Sequence, residues 1–195
     1  MAIVKILARH NPSYASLIRY QLRYVLQDIK NDKAEVYTQN LRSNTVTGYI
    51  QEFIENEAFR RSIRSDQIFL THEVISFHRD ENGYLLSHEV VEDLAYEYMR
   101  LRGEKGVILT AVHRDKDHVH LHACVSALEY RTGKSFGLNK RQLQELKVSF
   151  QEYHKQRYPE LTKSAPQHGR GGAYFTHGQW HAKRREEVVQ TVTML

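Results

Sequence analysis

Apolar and polar residues along the chain change rhythm at regular intervals, and each change marks an element. "AIVKIL" (2–7) alternates and predicts a short strand. "NPSY" breaks it and offers Ser13 as a helix N-cap. From Tyr14 to Ile29, the residues Tyr14, Leu17, Ile18, Leu22, Val25 and Ile29 recur at helical spacing. "VYTQNL" (36–41) predicts another short strand. Thr45 to Arg61 predicts a helix carrying Val46, Tyr49, Ile50, Phe53 and Ile54. "QIFLTHEVISFH" (67–78) is strand-like, and "DENG" after it is a turn. "SHEVVEDLAYEYMRLRG" opens on a capping pattern at Ser87 and stops at Gly103, so it predicts a helix. "GVILTAVH" (106–113) and "HVHLHACVSA" (118–127) are two strands around the link "RDKD", which is too short for a crossover helix; they are expected to run antiparallel. "YRTGKSFG" (130–137) is a loop, and 139–157 is a basic amphipathic helix ending before Pro159. The pattern predicts an α+β fold: a central antiparallel or mixed sheet flanked by helices.

The length, 195 residues, fits one domain of ordinary size. From Thr162 to His177 the composition shifts to Gly, His, Ser and basic residues. The expected division is a folded domain over 1–161, then a basic linker with the start of a further helix over 162–195. That last helix, "HAKRREEVVQTV", reads as cut off, as in a longer parent. No apolar run is long enough to span a bilayer, and Cys124 is the only cysteine, so no intramolecular disulfide forms; a cytoplasmic protein is expected. The net charge of +5 favours an anionic partner.

The chemistry concentrates in "AVHRDKDHVHLHACVSA" (111–127). On a strand, side chains two apart share a face, so His118, His120 and His122 point one way and Val119, Leu121, Ala123 and Val125 the other. With 114–117 as a four-residue link, His113 pairs with His118 and joins the same patch. The rest of that face (Val107, Leu109, Ala111) is apolar, an expensive setting for four idle imidazoles. Neutral imidazoles around a cation, in an array open to substrate, remove the expense. Histidines on an exposed sheet face are the plainer reading of the same pattern.

His113-x-Asp115-x-x-x-x-His120-x-His122 resembles the HxDxxxxHxH motif of conjugative and mobilisation relaxases, members of the HUH endonuclease superfamily that nick DNA. The resemblance implies the relaxase fold, with His113, His120 and His122 holding a divalent metal, Mn²⁺ or Mg²⁺, and His118 as a flanking candidate. Asp115 matches the motif's acidic position and is expected to act in catalysis by orienting a ligand ring. The resemblance also implies a tyrosine near the N-terminus that attacks the scissile phosphodiester. "SYASLIRY" (13–20) is similar to the family's first motif and gives that role to Tyr20. Helical geometry puts Tyr20 roughly 160–200° from Ile18, on the polar side between Arg19 and Arg23. Tyr24, one turn on and slightly nearer the apolar stripe, is the alternative nucleophile. "HEVISFH" (72–78) is similar to the family's second motif, with Ser76 as a DNA contact. Arg19, Arg23, Lys140 and Arg141 are further DNA-binding candidates.

The implied activity is nicking of one strand at a transfer origin, leaving a 5′-phosphotyrosyl adduct, in mobilisation of a plasmid or integrative element. The implied partners are single-stranded DNA, relaxosome accessory proteins and a type IV secretion coupling protein, in the bacterial cytoplasm, with no membrane insertion. One alternative is a rolling-circle replication initiator or single-strand transposase of the same superfamily, for which Tyr130 in "YRTGK" would be the nucleophile. The other is a metal-dependent DNA-binding module that does not nick.

Overall fold

The alternation around the histidines is realised as a hairpin in the middle of a sheet. In the computed structural model, which describes residues 3–9, 13–27, 35–81, 83–114 and 118–164, β4 (Gly106–His113) pairs antiparallel with β5 (His120–Glu129). β1 (Ile3–Arg9), β2 (Val36–Gln39) and β3 (Leu70–Ser76) complete the order β1-β3-β5-β4-β2, and every pairing is antiparallel. The sheet is thus antiparallel throughout rather than mixed.

The register corrects one expectation. His113 stands opposite His120, not His118, because the link runs over 114–119 and β5 starts two residues later than a four-residue turn requires. Paired residues still share a face, so the imidazoles remain together. Register places His113, His120, His122, Ser76 and His72 on one face, and Val112, Leu121, Ala123 and Val125 on the other.

Two helices cover each face. α1 (Tyr14–Val25) and α2 (Val46–Glu57) pack on the histidine face through Leu17, Ile18, Leu22, Val25, Ile50 and Phe53, against Leu70, Leu109, Ala111 and Cys124. α3 (His88–Arg102) and α4 (Lys140–Arg157) pack on the other face, with Leu94, Tyr98, Leu146 and Phe150 against Ile75, Leu121 and Val125. The caps follow the sequence: Ser13, Thr45, Ser87 and Asn139 each accept a backbone N–H three residues on, and Gly103 ends α3 with φ 121°. α1 stops at Val25, four residues short of the expected end.

Across the far face, buried Glu73 accepts from Tyr98 Oη at 2.6 Å, from Arg102 Nε at 3.1 Å and from Thr71 Oγ1 at 2.7 Å. This pins α3 to β3. Thr162–Ser164, expected to begin the linker, forms a 3-10 turn; buried Glu81 accepts from both the backbone N–H and the hydroxyl of Ser164. The remaining linker, with "HGRGG" (168–172) and the expected last helix, lies outside the described residues, as do Asp115 and Asp117.

Candidate active site

The end of the sheet where β4 stops and β5 begins gathers five imidazoles. His113 and His122 have ring centroids 4.4 Å apart, His120 and His122 5.9 Å, and His118 and His120 4.1 Å. The fifth is His72 from β3, whose Nε2 lies 2.8 Å from His122 Nδ1. His72 was not singled out from sequence. One histidine among Leu70, Val74 and Ser76 on a strand face carries no spacing signal of its own; only the β3–β5 register brings it in.

The rings are held, not loose. His113 and His120 are buried, and His113 Nε2 lies 2.7 Å from the carbonyl oxygen of Val25 at the end of α1. A carbonyl only accepts, so Nε2 carries the ring proton and the lone pair of the neutral ring is on Nδ1. Among the described residues no three His, Cys, Asp or Glu side chains are already drawn into a metal-holding group. The donor set nevertheless fits a cation. His113, His120 and His122 sit on adjacent central strands, and the outer hydrogen bonds of His113 and His122 run to a carbonyl and to an imidazole. Cys124 lies beneath them, and burial pushes its thiol up to about 12, so it stays protonated.

The two candidate tyrosines of α1 part company here. Tyr24 meets the cluster edge-on, with its ring 6.1 Å from His72 and 6.5 Å from His122 at nearly right angles. Tyr20, one turn earlier, is 74% exposed, against 43% for Tyr24. The buried residues Leu17, Ile18, Gln21, Leu22 and Val25 define the inward face of α1, and Tyr24 sits at its rim, about 90° from its centre. Arg19 and Arg23 are exposed on the outer side of the same helix. Ser76 pairs with His120 and ends β3 beside the rings.

Residues 24–158 match the family described as "Relaxase: MobA/VirD2-like, nuclease domain". The chain belongs to this family. The relaxase is therefore a DNA-nicking endonuclease of the transesterase kind, serving DNA mobilisation. No curated protein is a significant match. Among solved structures, the relaxase is similar to the MobM relaxase domain bound to 26-nucleotide pMV158 oriT DNA, at 14% identity and a TM-score of 0.62 over 92% of this chain and 98% of that one. A Mn-bound crystal structure of MobM with 23-nucleotide oriT DNA gives a TM-score of 0.66 at 14% identity, over 94% and 98%. A structure addressing vancomycin-resistance transfer in Staphylococcus aureus gives 0.58 at 12%, over 86% and 100%. These likenesses establish the α+β relaxase fold.

The fold also shows what lies away from the imidazoles. Tyr130 follows β5 at the opposite end of the sheet; from His122 the strand runs eight residues, roughly 26 Å. Tyr130 therefore cannot attack a phosphate held at the histidines. Lys140 and Arg141 open α4 on the far face, and Arg141 Nε donates to Glu145 at 2.8 Å. The structure does not bring these two to the histidines. No helix among the described residues is long and apolar enough to cross a membrane.

Proposed function

We propose that this relaxase nicks one strand at a transfer origin with Tyr24 as nucleophile, beside a divalent cation held by His113, His120 and His122, for mobilisation of a plasmid or integrative element. The observation that carries this reading is the edge-on seat of Tyr24 against the imidazole cluster. Tyr20, the choice made from the sequence motif, points away on the exposed side of α1. When bound by these histidines, a cation would supply positive charge at the scissile phosphate, and three imidazoles suit Mn²⁺ better than Mg²⁺.

The protein's own residues do the rest. α1 is anchored to the sheet by Leu17, Ile18, Leu22 and Val25, so the tyrosyl oxygen approaches from a fixed side. Arg19 and Arg23 lie along the outer face of that helix, where they attract the backbone of an incoming single strand. Ser76, beside His120, donates its hydroxyl to DNA next to the nick. In the step itself, the Tyr24 Oη–phosphorus bond forms and the phosphorus–O3′ bond breaks. The tyrosyl proton leaves to solvent and the 3′ oxygen takes one up. The product is a 5′-phosphotyrosyl adduct and a free 3′-OH, and the adduct retains the energy needed to rejoin the strand without ATP. Asp115 orients a ligand ring in this scheme, and His118 flanks the ligand set.

The nuclease domain in this reading runs through Ser164, whose backbone N–H and hydroxyl are held by Glu81, and the basic linker follows it. The partners are relaxosome accessory proteins and a type IV secretion coupling protein in the bacterial cytoplasm. The test is incubation of the protein and Mn²⁺ with single-stranded oligonucleotides tiled across the DNA flanking its gene, then a denaturing gel. A covalently shifted band that chelator prevents is the expected result. DNA binding with no covalent band on any tile would overturn the reading in favour of a binding module.

A further inference from the structure

His72 is 3% exposed and lies among Leu70, Val74 and Cys124 on the α1 face of the sheet. A buried ring in such surroundings is costly unless its nitrogens are engaged. Its Nε2 is 2.8 Å from His122 Nδ1, and the two rings lie nearly parallel, 21° apart, with centroids separated by 5.1 Å. The contact occupies one nitrogen of His122 and turns the other, Nε2, away from His72.

We propose that His72 is a positioning residue for metal binding: it holds His122 by Nδ1, so that His122 presents Nε2 to the cation. The inference rests on the ligand reading above. A histidine that ligates through one nitrogen commonly donates its other N–H to an outer partner, which fixes ring and tautomer. His113 has such a partner in the Val25 carbonyl, 2.7 Å from its Nε2. His72 is the equivalent for His122, with an imidazole lone pair in place of a carbonyl. For His122 to give Nε2 to a metal, its proton sits on Nδ1 and points at His72 Nε2, and His72 then carries its own proton on Nδ1. Arg9 Nη2 donates to that Nδ1 at 3.4 Å, the outer limit of a hydrogen bond, so loading His122 Nε2 reverses the His72 tautomer and gives up this weak contact. An imidazole partner brings no negative charge, unlike the carboxylate often found there. The cation's charge is then left for the phosphate.

The experiment is calorimetric titration of Mn²⁺ into the wild-type chain and into His72→Ala, His72→Gln and His122→Ala, with thermal melts of each metal-free protein. Glutamine can accept from Nδ1 where alanine cannot. The expected result is loss of the site in His122→Ala, affinity weakened about tenfold or more in His72→Ala, and recovery to within about threefold of wild type in His72→Gln. Unchanged affinity in His122→Ala would overturn the ligand reading itself. Loss in His122→Ala with wild-type affinity in His72→Ala would overturn the positioning role alone. Loss in His72→Ala as complete as in His122→Ala, unrelieved by glutamine, would make His72 a ligand and overturn it too. Should His72→Ala fail to fold, nitrogen-15 spectra of the Zn²⁺-loaded wild type decide. A His122 proton on Nδ1 supports the inference, and one on Nε2 overturns it.

Discussion

Replacing Tyr24 by phenylalanine removes one oxygen and leaves the ring that packs edge-on against His72 and His122. The fold is expected to survive, and the chemistry is not. Tyr20 is four residues earlier on the same helix, so its hydroxyl is displaced by about 6 Å along the axis and turned a further 40° or so outward. In-line attack needs the reacting atoms within roughly 3.5 Å, and even a 1 Å misplacement costs on the order of a hundredfold. Tyr20 therefore cannot substitute for Tyr24. Tyr24→Phe should lower adduct formation by at least about 10⁴-fold, equivalent to roughly 5.5 kcal/mol of barrier. Tyr20→Phe should stay within about tenfold of wild type, because a small shift of an exposed ring perturbs only the approach of DNA. The assay is the rate of covalent band formation on the nicked oligonucleotide under single-turnover conditions with saturating Mn²⁺. An adduct that persists in Tyr24→Phe and vanishes in Tyr20→Phe would refute the geometric reasoning and restore the motif-based assignment.

Other perturbations probe the remaining structure. Glu73→Ala leaves Arg102 buried without its carboxylate and should destabilise the domain by about 3–5 kcal/mol in urea unfolding; a change under about 1 kcal/mol would show that the pair does not hold α3 to the sheet. Burial lowers the His154 pKa below its usual 6.5, so the folded state prefers the neutral ring. Its contribution is then present above pH 6.5 and is lost on acidification, at no more than about 1.4 kcal/mol per pH unit for one proton. His154→Leu should flatten the fall in stability between neutral and mildly acidic pH, and an identical slope in chemical denaturation would count against this. Mn²⁺ should bind more tightly than Mg²⁺ in paired calorimetric titrations; the reverse order would argue against an all-imidazole ligand set.

The histidine hairpin was legible because two independent periods agreed. Alternation put Val112, Leu121 and Val125 on one face and the imidazoles on the other, and the link was too short for anything but an antiparallel return. The helices were legible from their stripes and caps, Ser13 and Ser87 in particular. What escaped depends on pairing between distant segments. The order β1-β3-β5-β4-β2 places β3, not β2, beside β5, and no local pattern around Leu70 to Ser76 announces it. His72 was missed for the same reason. The proposed choice of Tyr24 over Tyr20 turns on which side of α1 meets the sheet. The wheel located the stripe, but only the packing of Val25 beside His113 shows that the rim bearing Tyr24 overhangs the histidines.

The two halves of the site are anchored by different forces. His120 and His122 belong to β5, which is hydrogen-bonded to a neighbour on both sides, whereas Tyr24 rides on a helix fastened to the sheet mainly by side-chain packing. Opening β5 means breaking two ladders; shifting α1 means sliding one apolar interface. Amide exchange should accordingly be far slower around His122 than around Tyr24. For an enzyme that must keep hold of a severed strand and later reseal it, this inequality separates two lifetimes. In the proposed mechanism the floor formed by β5 would outlast many excursions of the arm bearing Tyr24, so a strand joined to that tyrosine could travel and return to an unaltered seat.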